Sequence, residues 1–151
     1  MLEYTEEAAR PVDRNRLRAI QLELGVELPE SYQRFLLTHN GGRPTPSDFT
    51  VVEDGQIVQM RIHFFFGIDD DAKGCDLLWN YHTLKDRLPK HVIAIASDEV
   101  GNRFCLDLSS QGGGRVVFWD HEMDGADSRT ALKTVVAESF GDWQDMLVHA
   151  P

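Results

Sequence analysis

The sequence predicts an α+β fold, in which helices pack on a mostly antiparallel, twisted sheet in the order α-α-β-β-α-β-β-β-α. Three observations predict it. Two helical patterns open the chain, short runs of strand-forming residues fill its middle, and a helical apolar stripe lies near its end. A chain of 151 residues is long enough to bury a core without metals or disulfides. We therefore expect one domain over residues 1–151, with its core at about 13–147.

The first 42 residues predict two helices. Asp13 suits an N-cap, apolar residues then recur at helical spacing, and Gly25 ends the first helix. In "ELPESYQRFLLTHNGG", Pro29 suits the first turn of the second helix. Its buried face carries Tyr32, Phe35 and Leu36, and it stops at Asn40-Gly41-Gly42, which tolerate positive φ.

The middle of the chain predicts strands around one helix. In "FTVVEDGQIVQMRIHFFF", Asp54-Gly55 between two β-rich runs indicates a hairpin, and apolar residues alternate from Val58 to Phe66. "CDLLWNYHTLKDRL" is typical of a helix. "VIAIA", "RFCLDL" and "RVVFW" are typical of three short strands, the last two joined by the loop "SSQGGG".

The end of the chain predicts a helix. Apolar residues recur there at a period of about 3.6, namely Leu132, Val135, Val136, Phe140, Trp143, Met146 and Leu147. Gly141 interrupts the pattern, so Asp142 is expected to cap a last short helix.

The formal net charge is −10, from 15 Lys and Arg against 25 Asp and Glu, and the acids are spread along the chain. Nothing resembles a basic stripe with interleaved aromatics, so we expect no nucleic-acid binding. The acidic surface suits either solubility or the fast capture of a basic partner protein.

Cys75 and Cys105 form neither a C-x-x-C pair nor a disulfide framework, which is typical of a reducing cytoplasm. The first residues have no apolar signal segment, and no apolar run reaches the roughly 18 residues of a membrane span. We therefore expect a cytoplasmic protein that does not contact membranes. The turn from Asp69 to Gly74 and the spacing of the histidines lack the patterns of calcium and zinc sites, so we expect no metal or cofactor.

Acidic residues around two turns are the candidate chemistry. Asp98 and Glu99 precede Gly101, and Asp120 and Glu122 follow the strand "RVVFW". A carboxylate-dependent hydrolase would need Asp98, Asp107, Asp120 or Glu122 to converge in a cleft.

The same acids also have a structural interpretation. If Leu108 pairs with Arg115 across the hairpin, Arg103 lies opposite Asp120 as an oppositely charged cross-strand pair. Independently of this pairing, Asp98 and Glu99 precede Gly101-Asn102, where short acids and Asn are expected to cap the turn through backbone hydrogen bonds. This interpretation predicts no catalytic residues.

Four blocks in order resemble the SUKH superfamily. They are "ELPESYQRFLLTHNGGRP", "IAIASDEVGNRFCLDL", "GRVVFWDHE" and "VAESFGDWQDML". The signature residues are Pro29, Tyr32, Phe35, Leu36, Asn40, Gly41, Gly42, Asp98, Gly101, Asn102, Leu106, Asp107 and Trp119 to Glu122.

The resemblance implies an α+β binding fold without catalytic residues. It also implies a bacterial immunity protein that neutralises a polymorphic toxin, such as a nuclease, by stoichiometric binding. The alternative is an intracellular interaction scaffold without a toxin, as implied for fungal relatives that regulate cell-wall synthesis. Our hypothesis for the partner site is an acidic rim of Asp98, Glu99, Asp120 and Glu122 that faces a basic toxin surface.

Overall fold

A computed structural model of the chain describes residues 1–123, 132 and 134–151. The predicted α+β class is confirmed. The helices are α1 (Arg14–Leu24), α2 (Glu30–Thr38), α3 (Leu77–Leu84) and α4 (Phe140–Met146). The strands are β1 (Tyr4–Glu6), β2 (Arg43–Thr45), β3 (Asp48–Glu53), β4 (Gln56–Arg61), β5 (Phe64–Phe65), β6 (Val92–Ser97), β7 (Arg103–Asp107), β8 (Arg115–Trp119) and β9 (Thr134–Ala137).

Over the described residues, the main sheet has five strands in the order β5-β6-β7-β8-β9, and every neighbouring pair is antiparallel. Two smaller antiparallel pairs, β1–β2 and β3–β4, accompany it. The short strands β1, β2 and β9 were not expected from the sequence, and the run predicted to alternate from Val58 to Phe66 is divided into β4 and the short β5. A strand of two to four residues shows too little alternation to be recognised before its partner is known.

The two predicted N-terminal helices are confirmed. The Asp13 side chain accepts a hydrogen bond from the Arg16 amide, and Gly25 ends α1 in the left-handed conformation. Pro29 is the N-cap of α2 rather than part of its first turn, and the buried face of α2 is the predicted one.

Asn40 and the glycines after α2 fix the start of the chain against the sheet. The buried Asn40 amide group donates to the carbonyls of Arg10 and Ile68 and accepts from the Ile68 amide. Gly41 has φ of 85°, and a Cβ there would lie 2.7 Å from the backbone nitrogen of Gly67. These signature residues therefore maintain the fold through backbone contacts that a larger side chain would prevent.

Aromatic side chains fill the centre of the core. Trp143 of α4 is fully buried, and its ring centroid lies 5.8 Å from that of Phe49, 5.4 Å from Phe65 and 5.2 Å from Phe104. The β3–β4 hairpin, the main sheet and α4 thus meet at one tryptophan, as expected for the C-terminal apolar stripe.

The C-terminal prediction is wrong in part. The segment expected to be helical from Leu132 onward forms β9 before α4 begins, and it supplies the last strand of the main sheet. Thr134 and the two valines that follow it are β-branched, which suits a strand better than a helix. The N-cap of α4 is Ser139, whose hydroxyl accepts from the Asp142 amide, so Asp142 is not the cap.

The predicted register of the β7–β8 hairpin is wrong by one residue. Arg103 lies opposite Trp119, and Asp107 lies opposite Arg115, so Arg103 does not pair with Asp120. The residue after Asp107 already belongs to the loop, which shifts every pair by one. The Arg103 guanidinium instead donates to the Gly101 carbonyl.

Candidate protein-binding rim

The acidic rim, defined as Asp98, Glu99, Asp120 and Glu122, lies at one end of the main sheet. The first two residues stand in the turn between β6 and β7, and the last two follow β8. Because neighbouring strands are antiparallel, the end of β6, the start of β7 and the end of β8 lie at the same end of the sheet. The topology therefore brings together two turns that are about 20 residues apart in the sequence.

Asp98 builds the first turn from within. Its carboxylate accepts from the amide nitrogens of Val100 at 3.0 Å and Asn102 at 2.9 Å, and from the Asn102 side-chain nitrogen at 2.9 Å. Gly101 has φ of 96°, the left-handed conformation that the turn requires. The predicted capping role of Asp98 is confirmed. These hydrogen bonds hold the Asp98 carboxylate in place, whereas the side chain of the neighbouring Glu99 is exposed.

Asn102 connects the first turn to the second. Its Oδ1 accepts from the His121 amide at 3.2 Å and lies 2.7 Å from His121 Nδ1. The second turn is closed by Asp120, whose carboxylate accepts from the Glu122 amide at 3.0 Å. One side chain therefore links the two acidic turns, and Glu99 and Glu122 are exposed on either side of the link.

Arg103 is a partly buried cation beneath the rim. Its guanidinium carbon lies 5.8 Å from the Phe66 ring centroid, and its Nε has no hydrogen-bond partner among the described residues. Desolvation lowers the pKa of Arg103, while the nearby Asp98 acts in the opposite direction. A single desolvated cation leaves the exposed surface of the rim acidic.

Asp107 lies away from the rim, at the opposite end of β7. It is 4 % exposed, and its carboxylate accepts from the amide and the hydroxyl of Ser109 in the hairpin loop. The other four residues of the five-residue strand β7 separate it from the first turn, a length of roughly 13 Å. The convergence with Asp98 that a carboxylate-dependent hydrolase would need is therefore not found. Within the described ranges, His, Cys, Asp and Glu side chains form no group of three or more that could hold a metal ion.

A groove of about 280 Å³ lies between the first acidic turn and the β3–β4 hairpin. Its walls are the β4 residues from Val58 to Arg61 and the turn residues from Asp98 to Val100, and Phe104 and Phe118 lie at its floor. Val100 is 69 % exposed at its edge. An apolar floor beside two carboxylates suits a side chain that has an apolar stem and a cationic end.

Arg61 at the end of β4 does not neutralise the groove. Its guanidinium donates to both carboxylate oxygens of the buried Asp48, at 2.6 Å and 3.3 Å. Hydrogen bonding to Asp48 raises the pKa of Arg61, and the charge of Glu99 adds to this effect. The Arg61 charge is therefore matched by Asp48, and the charges of Asp98 and Glu99 remain in excess.

The sequence predicted the acids of the rim but not the residue that joins them. Asn102 was expected only as a turn residue, because its contact with His121 depends on how β7 and β8 pair. The groove was also missed, since it lies between segments that are far apart in the sequence.

Among the residues that the structure describes, no helix is long and apolar enough to span a bilayer.

Comparison with known proteins shows which family the chain resembles as a whole. Residues 11–146 match the model of the SMI1 / KNR4 family (SUKH-1). The chain is similar to the SPbeta prophage-derived uncharacterized protein YokK of Bacillus subtilis (strain 168), with 27% identity across 99% of this chain and 83% of YokK. A solved structure of a protein from Pseudomonas syringae pv. tomato has the same fold, with a TM-score of 0.50 and 19% identity over 78% of this chain and 74% of that one.

Proposed function

Because the chain belongs to the SMI1/KNR4 family (SUKH-1), we propose that it is a non-catalytic immunity protein of the bacterial cytoplasm. It binds a basic toxin domain, such as a nuclease, in a stoichiometric complex that blocks the toxin's active surface. Residues 1–151 form one binding domain in this proposal, and no metal or cofactor takes part.

The observation that carries the proposal is the linkage of two acidic turns at one end of the sheet. A nuclease needs a cationic surface to hold phosphates, and an acidic protein that covers this surface excludes the nucleic acid. The net charge of −10 accelerates the encounter with such a surface, and the exposed Glu99 and Glu122 lie where charge pairs would form.

The geometry of the acids supports binding over catalysis. The Asp98 and Asp120 carboxylates accept hydrogen bonds from N–H groups of their own turns, which is how side chains hold a loop in shape. Asp107 holds the opposite hairpin loop.

The direct test is to identify a toxin domain encoded by a gene beside this one and to co-express that domain with this protein. Immunity predicts that cells survive induction of the toxin and that the two chains purify together in a 1:1 complex. Survival that does not depend on this protein, together with no complex, would contradict immunity and favour the scaffold alternative.

A matched pair of charge reversals locates the surface. Glu99→Lys with Glu122→Lys changes the rim, whereas Glu27→Lys with Asp145→Lys changes exposed acids elsewhere. Both pairs shift the formal net charge from −10 to −6. Loss of protection in the first pair alone is expected, and equal loss in both would show that only the overall charge matters.

A further inference from the structure

The strand β4 has an open edge. Among the described residues β4 pairs with β3 alone, in a register without bulges. The Ile62 amide donates to the Ser47 carbonyl, whereas the Asp48 amide donates away from the hairpin, to Val148. Because hydrogen-bonded and non-hydrogen-bonded pairs alternate, the backbone groups of Ile57, Gln59 and Arg61 point away from β3.

Within the part of the chain that the structure describes, this edge lacks the features that usually prevent strand addition. Edge strands are commonly blunted by proline, lysine, a bulge or a covering loop. The stretch Gln56–Met60 has no proline and no charge. Ile57 and its cross-strand partner Val52 are 78 % and 70 % exposed, which gives the outer face of the hairpin an apolar surface.

The groove beside the rim runs along this edge. Val58 and Met60 of β4 face inward as one wall, and Asp98, Glu99 and Val100 form the other. The side chains of a strand alternate between two faces, so every second side chain of a strand added to β4 enters the groove. There it meets an apolar floor and two carboxylates, the surroundings that suit lysine or arginine.

We propose that the open edge of β4 and this groove together bind an extended, lysine- or arginine-containing segment of the partner protein, which adds to the hairpin as a third strand. The basic character of that segment rests on the proposed function. A second copy of this chain is a poor occupant, because two chains of net charge −10 repel each other.

The test uses the full chain and a short blocked peptide of alternating lysine and valine. Amide NMR spectra are expected to change at Ile57, Gln59 and Arg61 and at Glu99 and Val100 as the peptide is added. A peptide N-methylated on the groups that face β4 cannot donate these hydrogen bonds and is expected to bind about tenfold more weakly. A glutamate–valine peptide is expected not to bind.

Two proline variants form the matched pair. Gln59→Pro removes an outward N–H without touching a bond to β3, and is expected to weaken peptide binding about tenfold. Thr50→Pro lies opposite in the same register and changes only the other side of the hairpin, so its affinity should equal that of the wild type. Glu99→Gln is expected to weaken binding about two- to fivefold.

Three results would overturn the proposal: no spectral change at β4, equal losses in both proline variants, or full binding of the N-methylated peptide. Self-association of the wild type that Gln59→Pro abolishes would also overturn it, by assigning the edge to a second copy. Titration with the neighbouring toxin domain separates the two claims. If the toxin domain binds Gln59→Pro as well as the wild type, the docking site fails and the function stands. If the toxin domain binds neither the wild type nor Gln59→Pro, while the peptide binds as expected, the proposed function fails and the docking site stands.

Discussion

Replacing Asn102 with alanine tests whether the two acidic turns are held together as described. The substitution removes the Asn102 Nδ2 donor to Asp98 and the Oδ1 acceptor that lies 3.2 Å from the His121 amide and 2.7 Å from His121 Nδ1. Each of these three hydrogen bonds contributes about 0.5–1.5 kcal/mol. Asn102 is partly exposed, so water replaces part of the loss. We expect the free energy of unfolding to fall by about 1–3 kcal/mol.

Urea denaturation followed by circular dichroism measures this change. A thermal melt gives a second readout. For a domain of this size, a loss of 1 kcal/mol in stability lowers the melting temperature by about 2–4 °C, so we expect the melting temperature to fall by about 2–12 °C. Ser110→Ala serves as the control, since Ser110 is an exposed loop residue at the other end of the sheet and should change stability by less than about 0.5 kcal/mol. If Asn102→Ala is as stable as this control, the link between the two turns contributes nothing to stability.

Three further predictions concern the core, the first turn and a surface ion pair. Trp143→Ala is expected to cost about 3–5 kcal/mol in chemical denaturation because the ring is fully buried, whereas Trp79→Ala, at a position 40 % exposed, should cost much less; equal costs would contradict the packing. Gly101→Val should cost about 1–3 kcal/mol because φ is 96°, and Gly101→Asn should cost less, an order that thermal melts would show or reverse. Hydrogen bonding from Arg16 lowers the pKa of Asp69, so its stabilisation is present above the usual carboxyl pKa and is lost as the pH falls through the lower folded value. Asp69→Asn should therefore cost about 0.2–1 kcal/mol at pH 7 and progressively less as the pH falls below the usual carboxyl pKa, and a pH-independent cost would contradict the ion pair.

Local sequence signals predicted the elements that depend on nearby residues. Asp13 caps the start of α1 and Gly25 its end, as expected. Asp54-Gly55 forms the predicted two-residue hairpin turn, with both residues at positive φ. Signals that depend on pairing failed. The residues around Val135 fit a helix as well as a strand by periodicity, and the neighbouring edge of β8 decides between them.

The same division holds at the candidate site, where local contacts were predicted and contacts that depend on strand pairing were not. The capping role of Asp98 follows from the spacing to Gly101 and is confirmed. The pair between Arg103 and Asp120 was wrong because it relied on a register that the hairpin loop shifts by one residue. The link through Asn102 and the open edge of β4 arise only once distant segments are assembled, so local patterns could not indicate them.

If an acidic surface of this protein captures a basic partner, the rate at which the two proteins associate must depend on ionic strength. The measurement mixes the full chain with the toxin domain that the proposed co-expression experiment identifies, in a stopped-flow instrument. Raising the ionic strength from about 0.01 M to 0.15 M shortens the Debye length from about 30 Å to 8 Å. We predict that the association rate constant falls steeply over this range, and that Glu99→Lys with Glu122→Lys flattens the dependence more than Glu27→Lys with Asp145→Lys. An association rate that does not change with salt, or two variants with the same slope, would contradict the claim.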